Sequence, residues 1–311
     1  MEYIRGTTEF QIKEPTVLSL GKFDGLHMGH QLLMEKMQEK QRLGCRTAVF
    51  TFDIPPRSLV EGESGQVLTT NREKEYVFSR NGIDYLIEYP FGPGMRSMEP
   101  EDFLSMLASK INLAWVVAGR DFHFGHNRRG DYRLLAEQGP AYGFAASIVE
   151  KMQYQGRDIS STCIREQIRK GDMALANLLL GYEYFVLGEV VHGRRLGREL
   201  GIPTVNQIPA PEKLLPPFGV YVSRVVLDGR SYGGITNVGR KPTIEGENPV
   251  GVETHIFDYS GDLYGREIEV QFLRHLRPEK RFASVEALAD EMRRNIEQGR
   301  RVFAEYKRRK I

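Results

Sequence analysis

The first 180 residues alternate short apolar runs with amphipathic stretches. Apolar, β-branched runs at 16–20, 47–52, 85–88, 115–118 and 146–150 predict strands, and stretches at 31–43, 72–80, 101–110 and 132–138 predict helices between them. Strands separated by helices favour βαβ units in a parallel sheet covered on both faces. Such sheets place ligands beyond the carboxyl ends of their strands. After about residue 181 the period changes. Runs at 184–191, 220–227, 232–236, 252–257 and 267–273 predict strands with few helices between them. Ile268, Val270 and Phe272 alternate with Glu267, Glu269 and Gln271, as a half-exposed antiparallel strand requires. Asp228-Gly229 is a hairpin turn signal. The chain closes on a helix in which Ser284 is the expected N-cap and Val285, Leu288, Met292 and Ile296 form the apolar stripe. The expectation is an α/β domain over 1–180 and an all-β domain over 181–311, the latter a small antiparallel β-barrel with a terminal helix. The boundary is expected within 171–183.

Composition narrows the class. The 311 residues are 41% hydrophobic and 27% charged, which is ordinary globular usage and supports two domains. A net charge of only +2 disfavours a nucleic-acid partner. Cys45 and Cys163 stand far apart, so neither a disulfide scaffold nor a cysteine zinc site is expected. No apolar run approaches the roughly 18 residues needed to cross a bilayer. Glu2, Arg5, Glu9, Lys13 and Glu14 occupy the positions where a signal peptide needs an apolar core. The expectation is a cytoplasmic protein with no membrane partner, acting as a monomer or weak homo-oligomer.

Two segments carry chemistry in the first half. Leu18-Ser-Leu-Gly-Lys-Phe-Asp-Gly-Leu-His-Met-Gly-His30 runs from a buried strand into a helix. Gly21, Gly25 and Gly29 permit close backbone approach or positive φ. His27 and His30, three apart at a helix start, can share one pocket at the positive dipole end, a place that favours phosphate. By spacing alone they equally fit a solvent-facing turn. No third ligand at a familiar spacing supports zinc. His123 and His126 form a similar pair, expected in a loop. The second segment, Ile159-Ser-Ser-Thr-Cys-Ile-Arg165, precedes a helix with apolar Ile164 and Ile168. Ser160, Ser161 and Thr162 offer hydroxyl caps and Arg165 a guanidinium fork for phosphate; a plain capped helix uses the same residues.

The second half is richest from Gly188 to Asn206. Gly193, Gly197 and Gly201 predict a loop with amides free to donate to phosphate, although no Gly-Lys-Ser/Thr ends it as in a P-loop. Thr204 and Asn206 alternate on an extended stretch after Pro203, so their oxygens point the same way. That suits a magnesium ion bridging nucleotide phosphates. Arg194, Arg195 and Arg198 are candidate phosphate contacts or solvated charges. Glu253 sits in a strand of mixed character and, taken alone, reads as an outward-facing carboxylate. The basic tail, Arg300-Arg301 and Lys307 to Lys310, is explained by a solvated helix end.

Together these motifs carry a resemblance. Gly-x-Phe-Asp-Gly-x-His-x-Gly-His followed by Ile-Ser-Ser-Thr-x-Ile-Arg resembles the adenylyltransferase half of bacterial bifunctional riboflavin kinase/FAD synthetases. Gly119-Arg-Asp-Phe-His-Phe-Gly125 is similar to that family's third motif. Gly-x-x-Leu-Gly-x-x-Leu-Gly-x-Pro-Thr-x-Asn resembles the riboflavin kinase signature, as do Pro217-Phe-Gly-Val-Tyr221, Gly234-Ile-Thr-Asn-Val-Gly239 with Pro242-Thr243, and Val252-Glu-Thr-His-Ile-Phe-Asp258. Lys22 stands where the family often has Asn, and Thr51-Phe-Asp-Ile-Pro-Pro56 lacks the family's usual flap histidine. The resemblance implies a Rossmann-like nucleotidylyltransferase domain joined to a riboflavin kinase barrel, with ATP as co-substrate, Mg²⁺, and riboflavin, FMN and FAD as substrates or products. It implies that His27 and His30 stabilise adenylyl transfer. Gly21, Phe23, Asp24, Gly25, Gly29 and Asp121 would seat the nucleotide, and Ser160, Ser161, Thr162 and Arg165 would hold the triphosphate. In the barrel it implies Glu253 as general base, Thr204 and Asn206 as Mg²⁺ ligands, and Asn237, Arg240 and Arg277 beside the flavin.

Overall fold

The computed structural model describes residues 1–53, 65–193, 197, 200–240 and 249–310. They form two compact units, Met1–Ser161 and Thr162–Ile311.

The first unit runs β1 (Glu2–Arg5), β2 (Ile12–Leu20), α1 (Met28–Gln41), β3 (Arg46–Phe52), α2 (Asn71–Arg80), β4 (Tyr85–Tyr89), α3 (Pro93–Ser97), α4 (Pro100–Lys110) and β5 (Ile111–Gly119). A short ribbon of β6 (His123–Phe124) and β7 (Gly130–Asp131), α5 (Tyr132–Gln138), β8 (Ala145–Val149) and a second ribbon, β9 (Gln153–Tyr154) with β10 (Arg157–Asp158), follow. Six strands pair in parallel in the order β1-β4-β3-β2-β5-β8. The order reverses at β2, whose last five residues are all buried, as a strand covered on both faces must be. Leu18, Leu20, Phe50, Ile87, Leu104 and Val116 share its core. The predicted strands and helices fall within four residues of these bounds. The sequence reading missed β1 and α3.

α6 (Ser161–Lys170) begins at the division between the units, so the Ser-Ser-Thr segment enters its first turn instead of preceding it. The second unit continues through α7 (Met173–Leu180), β11 (Phe185–Glu189), β12 (Val205–Gln207), β13 (Gly219–Leu227), β14 (Arg230–Arg240), β15 (Val250–Ile256), β16 (Glu267–Pro278) and α8 (Val285–Lys310). Its six strands run antiparallel in the order β11-β16-β13-β14-β15-β12. An isolated bridge between Val191, just beyond β11, and Asn206 in β12 brings the edges together, so the barrel is nearly closed. Tyr184, Tyr221 and Phe272 are its bulkiest fully buried side chains. Ser284 caps α8, accepting from the Ala287 amide at 3.2 Å. Of the predicted stripe, Leu288, Met292 and Ile296 are half-buried, with Ile296 packed against the barrel core. Val285, at the start of the helix, is 48% exposed, while Ala289, Asn295 and Phe303 are buried.

Candidate active sites

The first site is built where β2 ends, at the sheet's reversal point, the position at which open parallel sheets bind ligands. Between Leu20 and Met28 the chain makes a tight turn with positive φ at Phe23, Gly25 and Leu26. Two of these are not glycine, so the turn is held by its surroundings. Phe23 and Leu26 are fully buried, and Phe23 packs edge-on against Phe78 of α2 at 5.5 Å. A Cβ on Gly21 would lie 3.1 Å from the Phe23 ring, and one on Gly29 would lie 3.2 Å from the His27 ring. Both glycines therefore act by letting a ring approach the backbone, and Gly25 by its φ of +85°.

Asp24 faces inward. Its Oδ1 accepts from the amides of Leu68 at 2.7 Å and Thr69 at 3.1 Å, while the Thr69 hydroxyl accepts from the Gly25 amide at 3.0 Å. Ser161 donates to the Asp24 carbonyl at 2.8 Å, which joins the second motif to the first. Thr70 and Glu73 form a capping box that starts α2 beside this clamp. Sequence reading missed Thr69 as a partner of the turn; the Thr70-x-x-Glu73 spacing is the signal that marks the neighbourhood.

His27 is the N-cap residue of α1, and its ring stacks on His30 with centroids 3.9 Å apart. Nδ1 of each ring is buried without a partner among the described residues. Burial lowers the pKa of His27 from 6.5 to about 4, against the pull of the Asp121 and Asp24 carboxylates. Burial, then His27, holds His30 well below its ordinary value. Both rings are therefore neutral at pH 7, each with one N–H to offer. Asp121 lies on the surface, 3.5 Å from the Lys151 ammonium. Thr162 is exposed and Arg165 half-buried, both in the part of α6 that belongs to the second unit. Ser160 is half-buried ahead of α6. The His123 and His126 pair is at the surface, His123 in β6 and His126 in a short 3₁₀ turn, with His123 Nδ1 2.8 Å from the Asp121 carbonyl.

In the barrel the candidates fall on one row. Asn206 of β12 pairs with Glu253 of β15, Glu253 with Asn237 of β14, Asn237 with Val220 of β13, and Val220 with Arg277 of β16. Directly paired residues share a face, so Asn206, Glu253 and Asn237 stand side by side. The Thr204 hydroxyl donates to Glu253 Oε1 at 2.6 Å, so Thr204 and Asn206 both flank the carboxylate, as their alternation predicts. Gly193 lies against Asn206, where a Cβ would come within 2.3 Å of its Nδ2. Gly197 approaches Thr204 in the same way, with a Cβ 3.2 Å from its Oγ1. Gly201 serves by its φ of +72°.

Arg277 is tied to α8. Its Nε donates to Asn295 Oδ1 at 3.0 Å and lies 3.3 Å from Glu291 Oε1. Arg240 is exposed at the end of β14. Arg194, Arg195, Arg198, Pro242, Thr243 and the Thr51 to Pro56 segment from Ile54 onward lie outside the described residues.

Comparison with known proteins follows the same division. A FAD synthetase family model matches residues 9–163 and a riboflavin kinase model matches residues 180–303. The bifunctional riboflavin kinase/FMN adenylyltransferase of Pseudomonas fluorescens is 32% identical over 307 residues, 98% of each chain. Those of Escherichia coli K12, at 34% over 309 residues, and Bacillus subtilis, at 30% over 296, are covered to 98% and 93% of their lengths. A solved structure described as a macrolide-efflux protein from Streptococcus pneumoniae superposes with a TM-score of 0.81 at 29% identity, over 96% of this chain and 98% of that one. No helix among the described residues is long and apolar enough to cross a membrane. The class is that of transferases in flavin-cofactor synthesis with one catalytic unit for each step. Within it, the chain belongs to the family of bifunctional riboflavin kinase/FMN adenylyltransferases.

Proposed function

We propose that the chain phosphorylates riboflavin to FMN in its 181–311 domain and adenylylates FMN to FAD in its 1–180 domain, using ATP for both steps in the cytoplasm. The observation that carries the kinase reading is the Asn206, Glu253 and Asn237 row with Thr204 hydrogen-bonded to the carboxylate. Glu253 takes the proton from the ribityl 5′-hydroxyl as that oxygen attacks the γ-phosphorus of ATP. Thr204 and Asn206 fit a hard cation: both present oxygen beside the carboxylate, and the missing Cβ of Gly193 leaves room at Asn206. They would hold Mg²⁺, which supplies charge neutralisation on the phosphates. Gly193, Gly197 and Gly201 offer their amides to those phosphates. Asn237, Arg240 and Arg277 border the flavin, Arg277 by positioning the segment that leads into α8.

In the 1–180 domain the FMN phosphate attacks the α-phosphorus of ATP and expels pyrophosphate. His27 and His30, being neutral, donate N–H bonds to the phosphoryl oxygens as charge builds there, at the positive end of α1. Gly21, Phe23, Asp24, Gly25, Gly29 and Asp121 seat the nucleotide. Ser160, Ser161, Thr162 and Arg165 hold its triphosphate.

The direct test incubates purified protein with riboflavin, ATP and Mg²⁺ and follows the flavins by chromatography. FMN first and FAD later is expected. FMN accumulating alone would overturn the adenylyl half, and no product from folded protein would overturn both.

A further inference from the structure

The patch of Thr204, Asn206 and Glu253 has a fourth member. β12 is only three residues long and pairs with β15 as Val205 with Thr254, Asn206 with Glu253 and Gln207 with Val252. One further step of that register sets Thr204 opposite His255. Side chains alternate along an extended chain, so Thr204, Asn206, Glu253 and His255 share one face of the sheet. His255 is half-buried there.

Thr204 needs an anchor. It precedes the first residue of β12, and Pro203 before it has no N–H to give to β15. The end of so short a strand frays unless something ties it down. The Thr204 hydroxyl nevertheless has to stay on Glu253 Oε1, 2.6 Å away, for the row to work as a unit. Two bonds upstream hold it. The Ile202 amide donates to the Gly197 carbonyl at 2.7 Å, which closes the glycine turn on itself. That bond does not reach the sheet. His255 does, since its Nδ1 lies 2.9 Å from the Pro203 carbonyl oxygen. A carbonyl only accepts, so Nδ1 carries the proton and donates. The imidazole thus ties the peptide unit ahead of Thr204 to β15, beyond the last backbone pair of β12.

We infer that His255 is a positioning residue for riboflavin phosphorylation: by holding the Pro203 carbonyl it keeps the Thr204 hydroxyl on the Glu253 carboxylate. The inference rests on the kinase reading above and adds to it a residue that acts through Thr204.

The test measures FMN formation from riboflavin by the full chain, with ATP and Mg²⁺, in variants of His255. His255→Leu keeps much of the bulk and removes the donor; it is expected to lower kcat about tenfold with the KM for riboflavin unchanged. His255→Asn places an amide N–H where Nδ1 stood and is expected to keep the wild-type kcat. His255→Gln carries its amide one bond farther out and is expected to fall with His255→Leu. On the residual activity of Thr204→Val, adding His255→Leu should have no further effect, because the bond it serves is already gone. FAD formation from supplied FMN should be the same in every variant. A wild-type kcat in His255→Leu, equal kcat in the Asn and Gln variants, or the same fall in the Thr204→Val background would overturn the role. The Asn and Gln pair decides even where His255→Leu does not fold. No FMN from folded wild type would instead overturn the kinase reading, and this inference with it.

Discussion

At the scale of single residues, His27 and His30 tie stability to pH. With the His27 pKa lowered to about 4 and that of His30 well below 6.5, the unfolded chain holds protons between about pH 6.5 and 4 that the folded chain does not. Stability therefore falls as the pH falls through that window, with a slope of up to about 1.4 kcal/mol per pH unit for each extra proton. Urea midpoints measured from pH 7 to 4.5 should drop less steeply in His27→Asn than in wild type. The same variant, and His30→Asn, should lower FAD formation from FMN by about 10²–10³-fold. Glu253→Gln should lower riboflavin phosphorylation by about 10²–10⁴-fold while FAD formation from supplied FMN is kept; equal rates in the steady state would remove Glu253 as the base. Much of this was legible because glycine and histidine at fixed spacing restrict what a turn can be. The inward course of Asp24 was not legible. Its partners Leu68 and Thr69 lie more than forty positions away, and only the fold brings them to it.

Among elements, periodicity found the strands buried on one or both faces and the helices between them. It missed β1, a four-residue edge strand with exposed ends whose identity comes only from pairing with β4. In α8 it included Val285, which is 48% exposed at the helix start, while Leu288, Met292 and Ile296 are half-buried. What seats the later turns is the absence of side chains. A Cβ on Gly233 of β14 would lie 2.5 Å from the Phe303 ring, and one on Gly299 would lie 2.3 Å from Ile235 Cδ1. Gly233→Ala should cost about 1–3 kcal/mol by overpacking, read from the denaturation midpoint of the kinase activity. Gly299→Ala should be milder, since the end of an isoleucine side chain can turn aside and Ala favours the helix.

For the whole molecule, the change of period near residue 181 announced two domains. The compact units divide earlier, at Ser161, since α6 and α7 are counted with the barrel. An alternation of runs cannot say which core a connecting helix joins. Each unit carries its own candidate site, so FMN made by one chain can be used by another. Mixing Glu253→Gln with His30→Asn should therefore restore conversion of riboflavin to FAD, at a rate that rises with protein concentration. The barrel's closure has a consequence of its own. Asn206 joins the ring with its carbonyl, which accepts from the Val191 amide at 2.8 Å, while its side chain stands beside Glu253. On the proposed function it is a clasp to which the nucleotide is fastened. Loading the pocket should draw the seam shut, and the Val191 amide proton, sampled by solvent whenever the clasp slips, should exchange more slowly once ATP and Mg²⁺ are aboard.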